Sequence, residues 1–100
     1  MGACSNLSPV EKCLAFIANG ADALQAGNFI KADVTFRLAL TVAKSAPAEQ
    51  GGDLVPLVLL KMSRLRHRQN REDDARQLRE QAMAQLRMIQ RAQRDLLVSD

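Results

Sequence analysis

The 100-residue chain has no tryptophan and no tyrosine; its aromatics are three phenylalanines. Bases have few rings to stack on, which weighs against single-strand nucleic-acid recognition. There is one histidine, His67, and no second His, Cys or Asp stands at ligand spacing from it, so no metal site is expected. The two cysteines, Cys4 and Cys13, are too few for a disulfide framework and fit reduced thiols, which points to the cytoplasm. Cys13, beside Leu14 and Ile17, reads as a small packed hydrophobe. No apolar run approaches the roughly 18–20 residues needed to cross a bilayer. The opening MGACSN lacks the charged start and apolar stretch of a secretory signal. Asn6 also stands where a myristoylation start needs Ser or Thr, so no membrane partner is expected. Phosphate-cradling glycine loops and a nucleophile elbow are absent as well. Glu72, Asp73 and Asp74 could meet a cation, but favourable electrostatics at a helix start explains them more cheaply. The chain therefore reads as a non-enzyme with no catalytic residue, no cofactor and no metal.

What is present is helical. Apolar residues make up 47% and charged residues 25%, with five Gly and three Pro lying mostly between periodic segments. Ser8-Pro9-Val10-Glu11 is a capping box with Pro at the first helical position, and the helix it opens runs to Gly27. A second helix runs from Asn28 to about Ser45. Ala46 to Gly52 breaks the period with Pro and a Gly pair. A third helix is capped by Asp53, runs to Gln69, and accommodates Pro56 in its first turn. A fourth starts at Asn70 and continues almost to the end. No segment alternates as a strand does. The expected fold is all-α, two antiparallel helical hairpins, because links as short as those at Gly27 and Asn70 force neighbouring helices antiparallel. Residues 1–7 form a tail, and residues 8–99 form one domain.

The second helix poses a packing question. Phe29, Ala32, Phe36, Ala39 and Ala43 make one stripe, while Val34, Leu38, Leu40 and Val42 bring much of the remaining circumference into apolar contact. A helix apolar on more than one face is packed on more than one side, and alanines allow close approach while rings fill the space beside them. Shifting the sequence by 43 residues places Gly27 on Asn70, Ala32 on Ala75, Ala39 on Ala82 and Leu40 on Met83. A repeat of this kind marks a stacked helical array.

The stretch GNFIKADVTFRLAL, with Gly27, Phe29, Ala32, Phe36 and Ala39-Leu40, resembles the second half of a tetratricopeptide repeat. Phe16 and Gly20 stand at that family's large-aromatic and small-residue positions. Asn19 and Ala23 depart from its usual Leu and Tyr, and Glu72 and Arg79 replace aromatics in the second copy. The resemblance implies repeat one over about 13–46, a loop at 46–52, repeat two over about 53–86, and a helical extension over 87–99. It also implies that the first helix of each hairpin lines a groove. Leu14, Ile17, Ala21 and Leu24 would come from one hairpin, with Leu57, Leu60, Arg64, His67 and Arg68 from the other. That trough, apolar with a basic end, suits an amphipathic or extended peptide carrying acidic residues. The family's chaperone-tail clamp is not implied, since Ile17 and Ala21 stand where it needs Lys and Asn.

The fourth helix carries one apolar stripe, Ala75, Leu78, Ala82, Leu86, Ile89 and Leu96. One-sided amphipathicity suits the outer end of an array, so the chain is expected to be complete. At about 40 Å against about 24 Å for the third helix, its last turns overhang, making Ile89, Leu96 and Leu97 an oligomer or partner surface. Charge is uneven: residues 1–60 hold four Lys/Arg and five Asp/Glu, whereas residues 61–100 hold ten and six. Arg64, Arg68 and Arg71, within RLRHRQNR, would share a helix face able to meet phosphates. The expected function is a small adaptor or chaperone for a protein partner. Size and an Ala-, Gln- and Arg-rich composition suggest the bacterial secretion type. A basic nucleic-acid binder and a homodimer paired through the fourth helix are the alternatives.

Overall fold

The computed structural model describes residues 8–46 and 54–98, with side chains as far as Asp95. Four helices account for almost all of these residues: α1 (Pro9–Gln25), α2 (Phe29–Ser45), α3 (Leu54–Arg68) and α4 (Glu72–Val98). No strand occurs among the described residues. The expected tail at 1–7, the loop beyond Ala46 and the Asp53 cap lie outside them.

The starts of α1 and α2 follow from their caps. Ser8 Oγ accepts from the Glu11 N–H at 3.2 Å, and Glu11 Oε1 accepts from the Ser8 N–H at 3.0 Å. Two of the donors that every helix start leaves orphaned are thereby satisfied. Asn28 Oδ1 caps α2 by accepting from the Lys31 N–H at 3.2 Å. The two hairpin joints are the same structure 43 residues apart. At the first, Gly27 has φ +82°, its N–H donates to Leu24 O, and the Asn28 N–H donates to Ala23 O. At the second, Asn70 has φ +63°, its N–H donates to His67 O, and the Arg71 N–H donates to Arg66 O. Both are the paired-bond helix ending that needs a left-handed residue, and Gly and Asn are the residues that adopt it most readily.

The joints fold α1 back on α2 and α3 back on α4, and α2 then carries the second hairpin by packing on α3. The Cα envelope of 50 × 42 × 16 Å is thin enough for two layers of helices only. Small residues set the close approaches. Ala32, Ala39, Ala75 and Ala82 are all fully buried, so the 43-residue register holds in packing as well as in the joints. At Gly20 an added Cβ would lie 2.5 Å from Phe36 Cε1, so the glycine makes room for the ring, which is itself fully buried. Ser63 holds the equivalent place in hairpin two. There Arg79 stands in place of the ring, and Ser63 Oγ instead donates to Ala75 O at 2.9 Å, tying α3 to α4.

Two expectations about α2 change. Its Phe29, Ala32, Phe36, Ala39 and Ala43 stripe faces the core, with Leu40 and Val42 half-buried beside it. Val34 and Leu38, however, are exposed, and with Ile30 they form an apolar ridge along the outer side. Two neighbours, α1 and α3, cover only part of the circumference, and no described element reaches this side.

Candidate partner-binding surface

The trough expected along α1 and α3 is only partly open. Leu14 and Leu60 are 46% and 39% exposed, Arg64, His67 and Arg68 are exposed, and Ala21 and Leu57 are half-buried. Ile17 and Leu24 are corrections: at 7% and 5% exposure they belong to the core cluster and offer a partner no usable surface. Both pack in the cluster that α1 shares with α2 and α3. Leu60 and His67, 43 residues further on, occupy the same places in hairpin two and stay uncovered. What remains of the trough is an apolar strip, Leu14, Ala21 and Leu57, leading to Arg64.

The arginines of RLRHRQNR do not form one phosphate-binding face. Arg66 is buried between the hairpins, donating to Asp33 Oδ1 at 2.9 Å and to Gln69 Oε1 at 2.9 Å. The Arg68 guanidinium lies 5.7 Å from the centroid of the Phe29 ring, a second link from α3 to α2. Arg71 falls beyond the end of α3 and pairs with Asp74 at 2.6 Å, so it does not share a helix face with Arg64 and Arg68. His67 Nδ1 is 2.6 Å from Glu72 Oε2, so the histidine clasps the start of α4. Of the basic side chains in the run only Arg64 lacks an ion-pair, hydrogen-bond or aromatic partner among the described residues.

Cys13 is fully buried; its Sγ approaches Ala39 O at 3.5 Å, and burial pushes the thiol above its ordinary value. Glu11 is held below the usual carboxylate range, first by the Ser8 backbone N–H and then by the Ser8 hydroxyl. Neither residue belongs to a cluster of reactive groups. Among the described residues no three His, Cys, Asp or Glu side chains gather at metal-binding spacing, and no helix is long and apolar enough to cross a membrane.

On α4, Ala75 and Ala82 are buried and Leu78, Leu86 and Ile89 half-buried, so the expected stripe faces the hairpin. The side chains of Leu96 and Leu97 lie outside the described residues. With 27 residues against 15 for α3, α4 is about 40 Å long against about 22 Å, and it extends past its neighbour. The side flanking that stripe presents Arg76, Arg79, Met83 and Arg87, all exposed. The spacing of three and four residues that puts Arg76, Arg79, Met83 and Arg87 in one line is legible in the sequence, where Arg76 and Arg87 already stand away from the apolar stripe.

A further opening of about 250 Å³ lies over Val55 and Leu59 of α3, walled by Leu40 and Lys44 of α2 and by Gln81, Ala84 and Gln85 of α4. Three separate helices contribute to it, which no single periodic segment could foretell. Compared with known proteins, the chain matches no protein-family model, no curated protein and no solved structure at a significant level.

Proposed function

We propose that this chain is a small tetratricopeptide-like adaptor or chaperone that holds an amphipathic segment of a protein partner without covalent chemistry. The observation that carries the reading is the repetition itself. Two hairpins with identical joints and identical buried alanines are stacked so that α1 and α3 run side by side, with Leu14, Ala21 and Leu57 leading to Arg64. Exposed Leu14 and half-buried Ala21 and Leu57 on adjoining helices favour an apolar ligand face, and Arg64, free of a carboxylate among the described residues, favours acid at one end of that ligand. The partner proposed is a client helix of a bacterial secretion system.

The test is affinity capture from lysate of the source organism with the tagged chain, with and without nuclease, repeated with Leu14→Asp and with Arg64→Glu. A discrete protein that survives nuclease, disappears with Leu14→Asp and weakens with Arg64→Glu is the expected result. Material that vanishes with nuclease and ignores Leu14→Asp would replace the adaptor by a nucleic-acid binder. That second reading draws on one observation: Arg87, Arg91 and Arg94 line α4 with no ion pair among the described residues.

A further inference from the structure

The 43-residue register makes hairpin one a template for what hairpin two can do. The face of α2 that meets α3 runs along Phe29, Asp33 and Leu40. Phe29 receives the Arg68 guanidinium, Asp33 receives Arg66, and Leu40 lines one opening together with Val55 and Leu59. The equivalent positions of α4 are Glu72, Arg76 and Met83, with Arg87 in the place of Lys44. All four are exposed, and Met83 is half uncovered at 50%. On the first helices the same comparison takes buried Ile17 to exposed Leu60. Hairpin two therefore repeats the geometry of a stacking face with nothing described on top of it.

Its charge has been changed. Where α2 offers a carboxylate, Asp33, α4 offers the guanidinium of Arg76, and Arg79 and Arg87 add to it. Glu72 is engaged by His67, and among the described residues Arg76 is held by Asp73 alone, across a 3.0 Å bridge between exposed side chains, which costs little to exchange. We propose that this face of hairpin two, centred on Leu60 and Met83 and flanked by Arg76, Arg79 and Arg87, docks an amphipathic helix of a protein partner that carries carboxylates, seated as α3 is seated on hairpin one. A carboxylate at the position that Arg66 holds in α3 would meet Arg76. A second copy of this chain fits poorly, because a two-fold pairing sets Arg76, Arg79 and Arg87 against their own images. A phosphate backbone would leave Leu60 and Met83 without an apolar neighbour. The inference rests on the reading of the chain as a protein-binding module but uses the end of the stack, not the trough.

The test uses the full chain and two fluorescein-labelled 15-residue peptides followed by anisotropy. One peptide has the sequence of residues 54–68; the other carries Lys61→Glu, Arg64→Glu and Arg66→Glu in it. Saturable binding of the acidic peptide is expected, at least about ten-fold tighter than the unaltered peptide. Arg76→Glu combined with Arg79→Glu should weaken it by about ten-fold or more and remove its salt sensitivity. Met83→Asp should weaken it comparably, with the helical circular dichroism and melting of the chain preserved. Leu14→Asp, on the trough, should leave this titration unmoved, so failure of the trough and failure of the end face are read separately. No saturable binding, equal binding of both peptides, or binding that survives Met83→Asp overturns the proposal. A dimer in sedimentation equilibrium that Met83→Asp dissolves also overturns it, by making the occupant a second copy.

Discussion

At Gly20 one methyl group decides whether two helices can touch. An added Cβ would stand 2.5 Å and 2.7 Å from two carbons of the buried Phe36 ring, which is overlap, not contact. Helix propensity alone would reward Gly20→Ala by about 1 kcal/mol. Overpacking a filled core costs roughly 1–3 kcal/mol, and the Phe36 ring is fully buried, so the substitution should be net destabilising. Urea denaturation checks this, and the pair with Phe36→Leu checks its cause: if the ring is the obstacle, Gly20→Ala should become favourable in the Phe36→Leu background. A Gly20→Ala chain as stable as the parent would dismiss the glycine as a spacer. Ser63 supports the argument from the other side. At the same register in hairpin two, where Arg79 replaces the ring, a larger side chain is accommodated and bonded.

An isolated helix is legible from its ends, and α1 is the clearest case. The Glu11 carboxylate is lowered by the Ser8 N–H and hydroxyl it engages, so the charged form belongs preferentially to the folded state. A depressed carboxylate contributes stability above its unfolded value, near 4.5, and loses that contribution as pH falls through the lower folded value. Glu11→Gln keeps the hydrogen-bonding shape without the charge. Its melting temperature should therefore lie below the parent's at pH 7 and converge on it as pH drops below 4.5, as thermal melts at stepped pH would show. A gap that persists at acid pH would assign the effect to shape instead. Caps, Gly27, Asn70 and the buried alanines were readable for the same reason: each is enforced within one helix or one joint. Val34 and Leu38 were not. Periodicity says that α2 is apolar on two sides, but how many sides acquire a neighbour is decided by the number of helices around it. Ile17 and Leu24 were misplaced by the same ignorance in reverse, since only the seating of α3 determines whether a stripe on α1 is trough or core.

In a stack of hairpins each unit leans on its neighbour, so the joint between them governs whether the molecule unfolds as one. Here the link includes an ion pair, Asp33–Arg66, whose guanidinium is nearly buried while its carboxylate stays about a quarter exposed. That asymmetry sets the order of three variants. Asp33→Asn leaves a buried cation facing neutral acceptors only, the introduced carboxamide and Gln69, and should cost about 2 kcal/mol. Arg66→Met should cost less, because Asp33 keeps Arg37 at 3.3 Å and some access to water. The double change Asp33→Leu with Arg66→Met replaces charge by apolar packing and should recover most of the parent's stability, because desolvation consumes much of what a buried pair gains. Denaturant midpoints give the ranking, and the denaturant slope shows whether the hairpins still unfold together. If Asp33→Asn leaves the midpoint where it was, the pair contributes nothing. The hairpins would then be held by the apolar contacts of Leu54, Val58, Met62 and Leu65 with the core and by Arg68 over the Phe29 ring. The same variants bear on recognition. An end face that copies this joint with its charge changed should prefer a partner in proportion to what the joint itself is worth, so a silent Asp33→Asn would also lower the expected gain from a carboxylate facing Arg76.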